Sequence, residues 1–180
     1  MELFINGKSQ GVRRKTGENP EGRYNRRNLT TSLNTEYHVG WRVTYEPGEV
    51  SVVSRKDGHI VCEQTIRTAG APAGIRLTKD YVGKETTFVN VEVVDKDGNL
   101  CPWAENQIDF SVTGDAKIIG TDNGCQTSME RFQAPRRKAF FGKCLVVVQT
   151  PMSSRAQSRD LDGAILTAKS IDLKPASIKM

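Results

Sequence analysis

The chain of 180 residues holds two histidines, four cysteines and 21 acidic side chains, the groups from which nucleophilic, metal or hydrolytic chemistry would have to be built. A serine or cysteine nucleophile needs a histidine beside it and a carboxylate to orient the ring. His38 stands at the start of a candidate strand and His59 follows the Asp57-Gly58 turn, both ordinary places for an exposed polar residue. Cys62, Cys101, Cys125 and Cys144 contain no Cys-x-x-Cys pair and no histidine at ligand spacing. This argues against zinc and favours buried free thiols, with the redox compartment left open. Asp95-Lys96-Asp97-Gly98-Asn99 places oxygens at the first, third and fifth positions of a calcium loop. Leu100 and Asn106 then occupy the positions where that loop needs its glycine and its bidentate glutamate, so the segment reads as a hairpin turn. A carboxylate pair for glycoside hydrolysis would flank one bond at roughly 5–10 Å. The acidic residues fall mostly in turns and on outward strand positions, so no catalytic, cofactor-binding or metal-binding residue is assigned.

Trp103 is the remaining side chain with chemistry to offer. Pro102-Trp103-Ala104-Glu105-Asn106 reads as a loop, and a loop tryptophan can stack on a sugar ring or pack against a neighbouring domain. A partly buried ring covering the end of a sandwich is the preferred expectation. Trp41 alternates with Val43 and Tyr45, which predicts a strand over 41–45 with the indole in the core.

The elements that would position these residues are strands. Leu3 and Ile5 share a face before Asn6-Gly7, a dipeptide suited to a type I′ hairpin, and 8–12 is the return strand. Glu46-Pro47-Gly48-Glu49 predicts a turn, 50–53 a strand, and Asp57-Gly58 a second hairpin into 60–66. In 88–94, valines 89, 91 and 93 point one way while Asn90 and Glu92 point the other. The pattern continues through candidate strands at 75–78, 86–95, 108–113, 117–120, 138–141, 144–150, 165–170 and 177–179, with turns at Asp97-Gly98 and Asp122-Asn123-Gly124. The small-residue run Ala69-Gly70-Ala71-Pro72-Ala73-Gly74 is the candidate linker. The expectation is an all-β chain of two tandem immunoglobulin-like β-sandwich domains. Residues 1–69 form a small antiparallel domain with a long mobile loop at about 13–36, and residues 70–180 form the sandwich proper. The cysteines do not reproduce the Cys-Trp-Cys spacing of antibody domains.

Net charge is +5, and residues 12–27 account for +4 of it, six basic side chains against Glu18 and Glu21. The basic run is read as a solvated loop, since a nucleic-acid interface would spread cations over a folded face among aromatics. Contact with acidic glycans or lipid head groups stays open for it. The longest apolar run, 144–148, is too short to span a bilayer, and residues 1–7 lack the basic region and cleavage site of a signal peptide. Neither a nucleic-acid nor a membrane partner is expected.

Particular strings go further than these patterns. ELFINGKS at 2–9, YEPGE at 45–49, KDGHIV at 56–61 and RTAG at 67–70 resemble the small β-domain that follows the catalytic barrel in glycoside hydrolase family 2 β-galactosidases of Bacteroides type. VVDKDGNLCP at 93–102, IDFSVTG at 108–114, TDNG at 121–124, TSME at 127–130 and RKAFFGKCLVVVQ at 137–149 are similar to the immunoglobulin-like C-terminal domain of the same enzymes. The resemblance covers nearly the whole chain in order. It implies a non-catalytic accessory module beside the barrel of a periplasmic or exported parent, able to shape the substrate entrance or mediate assembly. The barrel with its acid/base and nucleophile glutamates is absent, so no active-site residue carries over.

Departures from that pattern carry expectations of their own. The family's first domain has a further strand ahead of its Glu-Leu-Phe, so the chain looks like a C-terminal fragment whose residues 2–6 form an open edge, prone to self-association. Residues 153–162 replace a shorter turn, and Trp103 stands where a small polar residue is usual. Two rival readings remain: a bacterial immunoglobulin-like adhesin, from Val-x-Asp-x-x-Gly-Asn and the later Ile-x-Phe-x-Val-x-Gly, and a carbohydrate-binding module, from Trp103 and the tyrosines.

Overall fold

The computed structural model describes residues 1–14, 38–150 and 163–180. The chain separates into two compact units, Met1–Thr68 and Ala69–Met180. The loop expected at 13–36 lies, apart from Arg13 and Arg14, outside the described residues, as do residues 153–162.

In the first unit, β1 (Glu2–Ile5), β2 (Lys8–Val12), β3 (Glu49–Lys56) and β4 (His59–Arg67) make one antiparallel sheet in the order β2-β1-β3-β4. Alternation along β1 turns Leu3 and Ile5 inward, and both are buried, as is Val53 of β3. Asn6 and Gly7 have φ of 48° and 78°, and Asp57 and Gly58 have 51° and 83°, the paired positive values that a type I′ hairpin requires. Asn6 has a second task. Its Oδ1 accepts from the Glu49 N–H at 2.8 Å and its Nδ2 donates to the Pro47 carbonyl at 3.1 Å, tying the first hairpin to the turn that launches β3.

Two expectations fail in this unit. Residues 41–45 form no strand, because alternation alone cannot make one where no neighbouring strand among the described residues pairs with it. Val43 and Tyr45 are exposed, and Trp41 is half-buried, its Nε1 donating to the Gly11 carbonyl at 3.2 Å and its ring facing the Arg13 guanidinium at 5.7 Å. Nor is β1 an open edge. It pairs with β2 on one side and with β3 on the other, so among the described strands the edges are β2 and β4.

Among the described residues the second unit holds eight strands: β5 (Gly74–Val82), β6 (Thr86–Val94), β7 (Gln107–Thr113), β8 (Lys117–Asp122), β9 (Arg136–Lys138), β10 (Lys143–Gln149), β11 (Ile165–Lys169) and β12 (Ala176–Lys179). They pair as β5-β6-β10-β8 and β12-β11-β7-β9. This is the ABED and GFC arrangement of a constant-type immunoglobulin sandwich, with β9 added as a short edge beside β7. Val89, Val91 and Val93 of β6, Val146 and Val148 of β10, Ile108 of β7, and Leu166 and Ala168 of β11 are all 0% exposed. Burying each of the larger side chains is worth about 1.5–3 kcal/mol, and this packing stands where antibody domains place a disulfide.

The expected strand at 138–141 is displaced. β9 ends at Lys138, and Phe141 and Gly142, with φ of 49° and 74°, make a tight turn into β10. The Phe140 N–H donates to the Lys143 carbonyl at 2.8 Å and the Lys143 N–H returns the bond at 3.1 Å.

Candidate functional site

The segment that resembles a calcium loop is closed by its own backbone. The Asp95 carboxylate accepts from the N–H groups of Gly70 at 2.8 Å, Asp97 at 2.9 Å and Asn99 at 2.8 Å, and from Asn99 Nδ2 at 3.0 Å. These donors, the Gly70 N–H foremost, hold the Asp95 carboxyl well below the usual carboxylate range. Asp97 pairs with Lys96 at 2.8 Å. A carboxylate already saturated by four donors is the anchor of a turn, joining the β6–β7 loop to the chain entering β5. Among the described residues, no three carboxylate, histidine or cysteine side chains cluster to hold a metal ion.

Trp103 sits in the same loop and differs from its expectation, for the residue is 85% exposed. Cys101 and Ala104 on either side are buried, so the chain turns its small residues inward and the indole outward. The loop is tied to the turn before β10, because the Gly142 N–H donates to the Ala104 carbonyl at 3.0 Å. A Cβ on Gly142 would overlap the Cys101 carbonyl, so only glycine allows this approach. Phe141 is 57% exposed, and its ring lies 4.5 Å from that of Phe140.

The loop between β8 and β9 closes over a buried cation that the sequence reading did not single out. Arg137 is 1% exposed. Its Nη2 donates to the carbonyls of Thr121 at 2.7 Å and Arg131 at 3.2 Å, its Nη1 lies 3.7 Å from the Glu130 carboxylate, and the Phe132 ring covers the guanidinium at 5.1 Å. The signal was present in the string Arg136-Arg137-Lys138, where strand alternation must turn the middle residue inward. Beside this loop, Asp109, Arg131, Gln133, Pro135 and Arg136 line an open depression.

Three further carboxylates are held in ion pairs. Glu92 pairs with Arg76 at 2.8 Å and lies 3.4 Å from Lys143, Glu105 pairs with Lys138 at 2.6 Å, and Glu2 pairs with Arg55 at 2.8 Å. His38 and His59 are exposed. All four thiols are free, Cys101 and Cys144 buried, Cys125 half-buried and Cys62 exposed, so the buried-thiol expectation holds for two. Burial pushes the Cys144 thiol up to about 12 and raises that of Cys101. Cys125 moves the other way, lowered chiefly by its hydrogen bond with the Thr127 hydroxyl at 3.4 Å.

The model of glycoside hydrolase family 2 C-terminal domain 5 matches residues 76–179, which is the second unit from β5 to β12. The chain belongs to glycoside hydrolase family 2. Residues 1–62, within the first unit, match a domain of unknown function, DUF4982. A β-galactosidase of Bacteroides ovatus, BoGH2A, is 46% identical over 189 aligned residues, covering 100% of this chain and 19% of that protein. A putative β-glucuronidase of Formosa agariphila is 28% identical, over 93% of this chain and 15% of its own length. Among solved structures, a β-glycosidase from Bacteroides vulgatus superposes with a TM-score of 0.76 at 28% identity, covering 99% of this chain and 21% of that one. The chain thus spans about a fifth or less of the length of the relatives it matches. Among the described residues the chain is all-β, and its two compact units follow in tandem.

Proposed function

We propose that this chain is a non-catalytic C-terminal module of a family 2 glycosidase of β-galactosidase type, packing beside the catalytic barrel. The carrying observation is the alignment of the whole chain, at 46% identity, with a β-galactosidase of which it covers only 19%. The roles of four carboxylates fit the same reading: Asp95 anchors a turn, while Glu2, Glu92 and Glu105 are held in ion pairs. A family 2 acid/base and nucleophile would have to come from the barrel. The adhesin reading loses its footing, because its motifs fall inside the family 2 domain at 76–179.

Domain exchange tests this. Truncating the matching C-terminal fifth of the Bacteroides ovatus β-galactosidase should lower its thermal stability, and grafting this chain in its place should restore both stability and turnover. A chimera no more stable or active than the truncated enzyme would overturn the proposal.

A further inference from the structure

We infer that β4 of the first unit is the docking edge for the part of the parent glycosidase that lies outside this chain, which lays an extended apolar segment beside it. The inference rests on the accessory reading and names the surface through which that role is exercised. β4 runs nine residues, His59–Arg67, at the edge of its sheet, and Ile60, Val61 and Ile66 are 58%, 62% and 64% exposed. The strand register shows why an apolar side chain is left over there. Ile5 faces Val50 and Val50 faces Ile66, so one apolar row crosses the sheet from a buried residue through a half-buried one to an exposed one. The buried face of the unit therefore continues to its edge and stops uncovered.

The opposite edge is closed by the chain itself. Along β2, Gln10 Nε2 donates to the Lys8 carbonyl at 3.1 Å and Trp41 Nε1 to the Gly11 carbonyl at 3.2 Å, and the ladder to β1 is irregular between Glu2 and Phe4. Among the described residues nothing comparable closes β4, which contains no proline or lysine. A long apolar edge in that state is a template for another strand, and native proteins cover it. Two facts select the occupant. This chain covers 19% of the Bacteroides ovatus β-galactosidase, which leaves the larger part of such a polypeptide to supply the covering segment. A second copy of the chain is disfavoured by charge, because antiparallel self-pairing of β4 about its centre sets Glu63 opposite Glu63, and like charges directly opposite destabilise a strand pair.

The test grafts this chain onto the truncated Bacteroides ovatus β-galactosidase and reads Cys62, which is exposed on β4. Iodoacetamide labelling of Cys62, followed by peptide mapping, should be about tenfold slower or more in the graft than in the isolated chain. Val61→Lys with Ile66→Lys should return Cys62 to its fast rate and lose the thermal stability that the graft restores. The isolated double variant should unfold at the parent temperature, because both positions are exposed. A stable, active graft whose Cys62 reacts as fast as in the isolated chain overturns the inference and leaves the accessory reading intact, as does a grafted double variant that restores stability in full. A graft that restores neither stability nor turnover overturns both. Cys62 protected in the isolated chain through a dimer that the double variant dissolves also overturns the inference, since a second copy then holds the edge.

Discussion

Replacing Arg137 by methionine keeps much of the buried stem and removes the charge. The guanidinium is 1% exposed and makes two well-formed bonds, to the Thr121 carbonyl at 2.7 Å and the Arg131 carbonyl at 3.2 Å. Weaker contacts at 3.4 Å reach the Glu130 carbonyl and the Thr121 hydroxyl. Hydrogen bonds from a charged donor contribute about 1.5–3 kcal/mol each, so the two short ones total about 3–6 kcal/mol. Releasing the methionine variant from the cost of desolvating a cation offsets part of this. The expected loss is about 3 kcal/mol, with Arg137→Lys intermediate because a point charge cannot span both carbonyls. Urea unfolding followed by circular dichroism should show a lower midpoint at unchanged slope for the transition of the second unit. Trypsin should also cut faster at Arg131 as the loop loosens. A methionine variant within about 1 kcal/mol of the parent would refute the reasoning, showing that the cation only breaks even with an apolar isostere.

Three other outcomes follow from the same geometry. Because folding lowers the Asp95 pKa, its contribution is fully present above the unfolded value near 3.8 and is lost as pH falls through the folded value. Unfolding midpoints measured against pH should therefore fall in acid below about pH 4, and Asp95→Asn should flatten that part of the profile. Iodoacetamide should label Cys62 and Cys125 in the native chain, whereas Cys101 and Cys144 react only in denaturant; peptide mapping reads this directly. Gly142→Ala should cost about 2 kcal/mol or more in a thermal melt, since its φ of 74° and the Cys101 carbonyl both oppose a side chain.

Much of the second unit was legible because its strands are half-buried and carry strict alternation. Val89, Val91 and Val93 announce β6, and Ile108 with Phe110 announces β7, each with an outward polar residue between. The same rule misled at 41–45, where Trp41, Val43 and Tyr45 alternate without a partner strand to bond. Turn chemistry was read well where Gly or Asn supplied positive φ, as at Asn6-Gly7. It failed at Phe141-Gly142, because a phenylalanine in left-handed backbone gives no local signal. Register decided the β1 edge: Leu3 faces Val52 and Ile5 faces Val50, a pairing between residues far apart in sequence. Alternation could have flagged Arg137 as buried, but its partners come from Thr121 and the loop after it, which only the folded chain brings together. The exposure of Trp103 had no sequence signature, since a loop indole can point either way.

The central claim, that this chain is an accessory module whose chemistry lies elsewhere in a family 2 enzyme, is tested most directly by assaying the purified chain against an aryl β-galactoside. The account predicts release of the aryl group no faster than in a buffer blank. Turnover that survives repurification, and disappears when a single Glu or Asp of this chain is substituted, would contradict it.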